Sequence, residues 1–267
     1  MIPAVPNGLS VHWFGTLVAL GIVTGRVLVA HAARVYGPGD PERAIGAYTW
    51  CVLGGILGAH LFEVLAYQPH QLRTEGLRVL FQVWKGSASA GGALGGIAGI
   101  LLYFRSQKRP SVPYLDALAL AIVPGWAVTR LGCAVAHDHP GIRSSAWFAV
   151  QFPDGPRLDM GLLDAVVLFV LAAVLWLLAQ KKRPELALLG VFALGYSVPR
   201  FLLDFLRATD LPGSDRRVLA LTPAQWVCLG MIPLGIWFLR HGLRGTPHPP
   251  RVEASPEAQT GVLPPAP

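Results

Sequence analysis

Charged residues are scarce in this sequence. Only 14% of the 267 residues are Asp, Glu, Lys or Arg, whereas 53% are hydrophobic. A soluble domain carries about 25% charged residues. The mean hydropathy of +0.48 agrees with that imbalance. The composition excludes an ordinary soluble domain and predicts an integral membrane protein.

Cysteine is also scarce, with three in the sequence. Cys51, Cys133 and Cys228 each fall in or at the end of an apolar run. That placement argues against a disulfide framework and against a zinc site built on cysteine pairs, and it predicts small buried side chains. The formal charge is +7. Because no basic block with interleaved aromatic residues accompanies that charge, we expect no nucleic-acid partner.

Long apolar runs are what the sequence has in abundance. Seven of them approach the roughly 20 residues that a helix needs to cross a bilayer. The sequence therefore predicts an all-α integral membrane protein with seven transmembrane helices. Residues 146–157, with strand-like and turn-forming segments, predict a small extracytoplasmic cap. The runs cover about residues 12–33, 44–67, 88–105, 115–135, 160–180, 185–206 and 222–240.

Short basic loops set the predicted orientation. The densest lie around residues 105–109 and 181–183, on one side of the predicted membrane, whereas the first ten residues carry no basic side chain. Because cytoplasmic loops are enriched in Lys and Arg, we place the N-terminus outside and the C-terminus in the cytoplasm. Residues 1–242 form one predicted membrane domain, and 243–267 a disordered, proline-rich cytoplasmic tail.

The fourth run ends in an unusual polar stretch. Arg130 lies within the run, and His137, Asp138 and His139 follow where it ends. An arginine at membrane depth needs an anion, a polar partner or a wet cavity, and a histidine beside an aspartate can act as a general base. Alternatively, Arg130 reaches a lipid headgroup and the histidines lie in an exposed loop. We expect no metal at this triplet, because no further ligand cluster is visible.

The sixth run carries a second polar face. Tyr196, Arg200 and Asp204 are spaced by four residues and so share one side of a helix. The alternative is an internal Arg200–Asp204 ion pair on a helix kinked by Pro199. Thr222 and Gln225 have the spacing of a capping box at the start of the seventh run.

The rise of a helix per residue places the polar residues of several apolar spans at one depth. At 1.5 Å per residue, His60, Arg130 and Arg200 all lie roughly 24–27 Å from the inner side. This shared depth predicts one polar site in the outer half of the bilayer. Its natural ligand is an anionic lipid headgroup held by guanidinium groups. Further residues predicted near that level are His12, Glu63, His137, Asp164 and Asp204.

These motifs resemble the prolipoprotein diacylglyceryl transferase family of bacterial inner membranes. The resemblance implies transfer of a diacylglyceryl group from phosphatidylglycerol to the lipobox cysteine of prolipoprotein signal peptides, with release of glycerol phosphate and without a cofactor. It implies that Arg130 and Arg200 bind the lipid phosphate, that Tyr196 supports them, and that the substrate site also includes Asp204, His60, Gly91 and Gly92. The matching pieces are His12-Trp13-Phe14-Gly15, Gly91-Gly92, Arg130-Leu131-Gly132, Tyr196 with Arg200-Phe201, and Gln225.

The sequence departs from the family at its signature positions. Ala90 replaces the histidine of a His-Gly-Gly motif, and Cys133, Ala136 and Asp138 replace two asparagines and a glutamate. We therefore predict a relocated catalytic base, His137 or His139, oriented by Asp138. Two other functions stay open: a membrane enzyme that uses the same lipid with another acceptor, and an inactive lipid-binding homologue. A transporter is disfavoured, because no inverted repeat is visible and the polar residues gather near one leaflet.

Overall fold

The computed structural model describes residues 7–82, 86, 88–211, 214–215 and 217–244, with side chains from Trp13 onward. The side chain of His12 and nearly all of the predicted tail, beyond Arg244, lie outside the described residues. The division into a membrane domain and a tail therefore stays a prediction.

Helices dominate the described chain. A π-helical turn, Glu63–Tyr67, continues α2, and 3-10 turns at Gly76–Phe81 and Asp204–Leu206 follow α3 and α7. The α-helices are α1 (Asn7–Val35), α2 (Pro41–Phe62), α3 (His70–Glu75), α4 (Ser89–Ser106), α5 (Val112–Ala136), α6 (Met160–Ala179), α7 (Ala187–Leu203) and α8 (Pro223–Arg244).

The long helices match the predicted apolar runs to within a few residues, because the hydropathy of each run fixes where the chain can leave the membrane. An all-α membrane fold is thereby confirmed. Within the described part of the chain, six helices are long and apolar enough to span a membrane: α1, α2 with its π turn, α5, α6, α7 with its 3-10 turn, and α8. The glycine-rich α4 is not among these six, so the count of seven spans stays a prediction.

Helix α5 lies at the centre of the bundle. It packs against α1 and α6, and it contributes to both apolar clusters of the core. One cluster joins α1, α5, α6 and α7 around Leu120 and Leu168. The other joins α1, α2, α4 and α5 around Leu118 and Phe104. A polar residue on α5 is therefore surrounded by other helices and not by lipid.

Helices α2 and α4 approach each other closely along facing glycines. A Cβ atom on Gly95 would lie 2.1 Å from the carbonyl oxygen of Gly54, and one on Gly58 would lie 2.5 Å from that of Gly91. Small residues permit this backbone-to-backbone contact within a membrane. The glycines predicted at the substrate site therefore belong to a helix interface.

The two neighbouring glycines of α4 give a test of this packing. Gly91→Ala is expected to destabilise the protein by about 1–3 kcal/mol, the usual cost of overpacking, because its Cβ would lie 2.1 Å from the Cβ of Phe62. Gly92→Ala is the matched control, since its nearest neighbour would be an ordinary 3.6 Å away. Thermal unfolding in detergent measures both. Equal losses of activity with unchanged melting temperatures would indicate substrate contact instead of packing.

The predicted cap is a small antiparallel sheet between α5 and α6. Its strands are β1 (Pro140–Arg143), β2 (Val150–Phe152) and β3 (Gly155–Asp159), in the order β1-β3-β2. The fully buried Arg157 stabilises the sheet, because its guanidinium donates hydrogen bonds to Asp154, Asp210 and the carbonyl of Gly141. These bonds lower the pKa of both aspartates. The cap is thus tied to the segment that follows α7.

Candidate active site

Three helices bring a carboxylate and two arginines together inside the bundle. Asp164 on α6 lies 3.3 Å from Arg130 on α5 and 3.2 Å from Arg200 on α7. All three side chains are at most 5% exposed. Burying a lone ion is costly, and a shared counter-ion reduces that cost. Arg130 therefore does not simply extend to a headgroup: the structure places it in an ion-pair network.

Asp204 extends this network to α8. Its carboxylate lies 2.8 Å from Arg200 and accepts a short hydrogen bond from Thr222. The predicted capping box is confirmed, since Thr222 and Gln225 exchange backbone-to-side-chain bonds of 2.9 and 3.2 Å. Gln225 also donates to the carbonyl of Phe201. The predicted internal Arg200–Asp204 pair exists, but it is one part of a larger network.

Two nitrogen atoms of the Arg130 guanidinium make no hydrogen bond within the described residues. Its Nη1 points at the thiol sulfur of Cys133, 3.7 Å away. Its Nε and Nη2 are buried and make no hydrogen bond within the described residues, Nη2 being only in electrostatic contact with Asp164. Buried donors normally have partners. A bound anion would satisfy them, and this makes Arg130 the better placed of the two arginines to receive one.

Tyr196 lies beside both guanidinium groups, as predicted. Its hydroxyl is within electrostatic reach of Arg130, Arg200 and Asp164, and its ring packs on Trp126 with centroids 4.5 Å apart. Tyrosine and tryptophan together form one wall of the site. The wall is apolar on its face and polar at its tip, a combination suited to the glycerol region of a lipid.

His137 is held by a carboxylate that the sequence argument missed. Helix α5 ends at Ala136, and His137 adopts the left-handed conformation with φ of 52°. Its Nδ1 lies 2.9 Å from Asp159. The carboxylate partner of His137 is therefore Asp159, whereas Asp138 lies nearer His139. The Nε2 of His137 is buried and makes no hydrogen bond within the described part of the chain.

Asp159 has two roles at the start of α6. One carboxylate oxygen caps the helix by accepting the backbone N–H of Leu162 at 3.0 Å, and the other faces His137. Burial raises the pKa of Asp159, and the hydrogen bond from His137 opposes that shift. The end of α5 and the beginning of α6 are joined through this one side chain.

Asp138 and His139 point to a different neighbour. The Oδ1 of Asp138 lies 3.7 Å from the Nε2 of His139, and both groups lie close to the thiol of Cys133. Surrounding protein atoms raise the pKa of Asp138 to about 6, with Arg130 opposing the shift. Burial, reinforced by Arg207, lowers the pKa of His139 well below its usual value.

His60 bonds the segment that follows α2. It is 1% exposed, and its Nε2 bonds the carbonyl of Val79 at 2.8 Å. Val79 belongs to the amphipathic segment after α2, whose Leu77 and Phe81 are 72% and 79% exposed. His60 therefore anchors a surface segment. Gly91 packs tightly against α2, whereas the nearest neighbour of a Cβ on Gly92 would be 3.6 Å away. A role of His60, Gly91 and Gly92 in substrate contact stays a prediction.

The residues that sequence reasoning missed are Asp159 and Cys133. Asp159 carried one usable signal, an aspartate directly before an apolar run, which is typical of a helix N-cap. Cys133 was visible only as a departure from a motif. Its nearness to Asp138 and His139 depends on the turn at His137, which no helical spacing encodes.

The bundle and its buried arginines define a polytopic membrane protein with an arginine–aspartate network inside its helices. A sequence model of the prolipoprotein diacylglyceryl transferase family matches residues 3–241. The chain belongs to this family. Relatives named phosphatidylglycerol–prolipoprotein diacylglyceryl transferase include those of Nitratidesulfovibrio vulgaris, 31% identical over 86% of this chain and 89% of the relative, and of Azoarcus sp., 34% identical over 87% and 91%.

Proposed function

We propose that this protein transfers a diacylglyceryl group from phosphatidylglycerol to the lipobox cysteine thiol of prolipoproteins. The proposal rests on the buried Arg130, whose Nε and Nη2 make no hydrogen bond within the described residues, although Nη2 lies 3.3 Å from the Asp164 carboxylate. A phosphate diester supplies hydrogen-bond acceptors, and a guanidinium binds two of its oxygens at once. The names of the relatives support the same pair of substrates.

Charge development explains why arginines would catalyse this reaction. When the thiolate attacks the glyceryl carbon, the carbon–oxygen bond to phosphate breaks and the leaving glycerol phosphate gains charge. Arg130 and Arg200 are already oriented by Asp164, so they need no reorganisation to stabilise that charge. Asp164 and Asp204 together balance the charges of the two guanidinium groups, which lowers the cost of holding two cations in the bundle.

A base is needed because a thiol with an ordinary pKa near 8.5 is mostly protonated at neutral pH. Of the two predicted histidines, we assign this role to His137. Asp159 fixes its Nδ1, which directs the free Nε2 to receive a proton. His139 lies instead toward Asp138. The left-handed backbone at His137 is a strained conformation of the kind found at functional sites.

The proposed setting is the bacterial inner membrane, with the N-terminus and the cap outside and the C-terminus in the cytoplasm. The partners are phosphatidylglycerol, the signal peptides of prolipoproteins, and surrounding membrane lipids. The apolar exposed residues of the segment after α2, among them Leu77 and Phe81, suit contact with the outer leaflet.

A peptide assay tests the proposal. The purified protein is incubated with phosphatidylglycerol and a lipobox peptide, and a diacylglyceryl mass increment on the peptide is measured. His137→Ala is expected to reduce the rate about 10²- to 10⁴-fold, the usual contribution of a general base. The matched control is His31→Ala, because His31 lies in α1 and stacks on Trp176.

The outcomes separate the candidate functions. A mass increment that needs His137 but not His31 supports both the transferase and its base. An increment that survives His137→Ala contradicts the base assignment alone. Retained lipid binding with no increment in the wild type would point to another acceptor or to an inactive lipid-binding homologue, which the altered positions Ala90 and Cys133 leave open.

A further inference from the structure

A cluster of metal-ligating atoms lies beside the arginines. The thiol of Cys133, the carboxylate of Asp138 and the ring of His139 each offer a ligand atom, and these atoms lie within 4.8 Å of one another. The Asp138–His139 pair is 3.7 Å apart. Zinc binds sulfur, nitrogen and oxygen at about 2.0–2.3 Å in a tetrahedron, so its ligand atoms are roughly 3.3–3.8 Å apart. Small side-chain rotations bring the cluster to that geometry.

The backbone holds the three ligands in place. The left-handed turn at His137 folds the chain back, and the N–H of Met160 bonds the carbonyl of His139 at 3.0 Å. Gly161 lies so close to α5 that a Cβ there would come within 2.9 Å of the backbone of Cys133. The ligands therefore come from a helix end and a turn that both pack against the start of α6. Such preorganisation lowers the cost of closing a metal site.

Charge is balanced in the filled site. A thiolate and a carboxylate together neutralise one Zn²⁺ ion, while the neutral imidazole adds nothing. The nearby Arg130, with Nη1 3.7 Å from the sulfur, would then face a neutral centre instead of a dication. Arg130 is itself paired with Asp164.

The donor set selects the metal class. Thiolate and imidazole favour zinc over magnesium or calcium, which prefer oxygen ligands. Three protein ligands with one open position are typical of catalytic zinc sites, whereas structural sites are closed by a fourth protein ligand. The side chain of Asp138 is 43% exposed, so the open position is accessible.

We propose that Cys133, Asp138 and His139 form a zinc site and that the acceptor thiol binds there as the fourth ligand. The identity of that fourth ligand rests on the transferase function proposed above. The thiol gives its proton to the base, and its sulfur binds zinc as a thiolate. The sulfur then forms a bond to the glyceryl carbon, the carbon–oxygen bond to phosphate breaks, and glycerol phosphate leaves with the electron pair. No electron is gained or lost overall.

Metal binding is measured first, without any substrate. The untagged full-length protein in detergent is stripped with a chelator and titrated with Zn²⁺, and bound zinc is counted by mass spectrometry. One zinc per chain is expected. Cys133→Ala or His139→Ala is expected to weaken binding at least about a hundredfold, since each removes one of only three protein ligands. Cys228→Ala is the matched control, because Cys228 is also a buried cysteine.

Co²⁺ gives a spectroscopic readout of the same site. A thiolate-to-cobalt charge-transfer band is expected in the wild type and in Cys228→Ala, and its loss is expected in Cys133→Ala. The melting temperature of each variant shows whether it remains folded. Stoichiometric zinc in a folded Cys133→Ala variant, or no zinc in the wild type, would overturn the proposal.

The fourth ligand is tested with two peptides. A lipobox peptide should shift the Co²⁺ spectrum, and the same peptide with serine in place of cysteine should not. Identical spectra with both peptides would refute thiol coordination. Full transfer activity in the chelated, zinc-free protein would overturn the binding of the acceptor thiol to zinc while leaving the transferase intact. Zinc binding without transfer to any peptide would retain the site and reject the transferase function.

Discussion

Replacing Arg130 with lysine is expected to slow diacylglyceryl transfer about 10²- to 10³-fold, the usual cost of losing a preorganised donor to a developing anion. Lysine keeps a positive charge that can still pair with Asp164, so the chain should stay folded. It cannot supply the paired donors that Nε and Nη2 of Arg130 leave open. The initial rate of the peptide mass increment measures the effect.

The matched control is Arg143→Lys in the cap. Arg143 is also an ion-paired arginine, 3.0 Å from Asp154, but its side chain is 61% exposed. Exposed pairs contribute about 0–1 kcal/mol, so the control rate should stay within about fivefold of the wild type. If Arg130→Lys transferred the lipid as fast as Arg143→Lys, the proposal that the Arg130 guanidinium binds phosphate through paired donors would be rejected.

Replacing Asp164 with alanine is expected to cost about 3–5 kcal/mol of folding stability, as for other buried ion pairs that lose one partner. The side chain lies within 3.3 Å of both Arg130 and Arg200, and its removal leaves Arg130 without a carboxylate partner and Arg200 with Asp204 alone. Thermal unfolding in detergent should show a large decrease in melting temperature. Activity should be lost as well, because Arg130 loses the carboxylate that orients it.

Asp40→Ala provides the comparison. Asp40 caps α2 and pairs with Arg43, but its side chain is 32% exposed. Loss of a helix cap costs about 1 kcal/mol. Similar melting temperatures for Asp164→Ala and Asp40→Ala would show that Asp164 does not stabilise the buried arginines as their counter-ion. The proposed ion-pair network would then be rejected.

The membrane helices could be predicted from the sequence because hydropathy is a property of each segment alone. The ends of α5 at Val112 and Ala136 lie within a few residues of the predicted 115–135. Arg130 and Arg200, expected at one depth, both contact Asp164, because a helix converts residue number into height with a fixed rise. Their meeting at Asp164 follows from that shared height.

Contacts made through turns could not be predicted in this way. On a continued helix, residues five and six positions after Cys133 would point to other faces, at about 100° per residue. The left-handed residue His137 ends the helix and brings Asp138 and His139 back toward that thiol. For the same reason the partner of His137 is Asp159, which no helical period connects to it.

The glycines of α4 illustrate a different limit. A run of small residues indicates a close approach, but not whether a helix or a ligand comes close. In the structure a helix comes close, because the carbonyl oxygens of Gly54 and Gly58 on α2 face the glycines of α4. Depth placed His60 near the arginines, and the structure adds that its ring bonds the backbone of Val79.

The double role of Asp159 restricts which substitutions evolution can accept at that position. Serine, threonine and asparagine cap helices about as well as aspartate, so capping alone would allow drift among them. Only a carboxylate also carries the negative charge that stabilises a protonated imidazole at His137. In an enzyme that needs this base, neutral drift should therefore be confined to aspartate, while a relative that has lost catalysis would be free to accept the other caps.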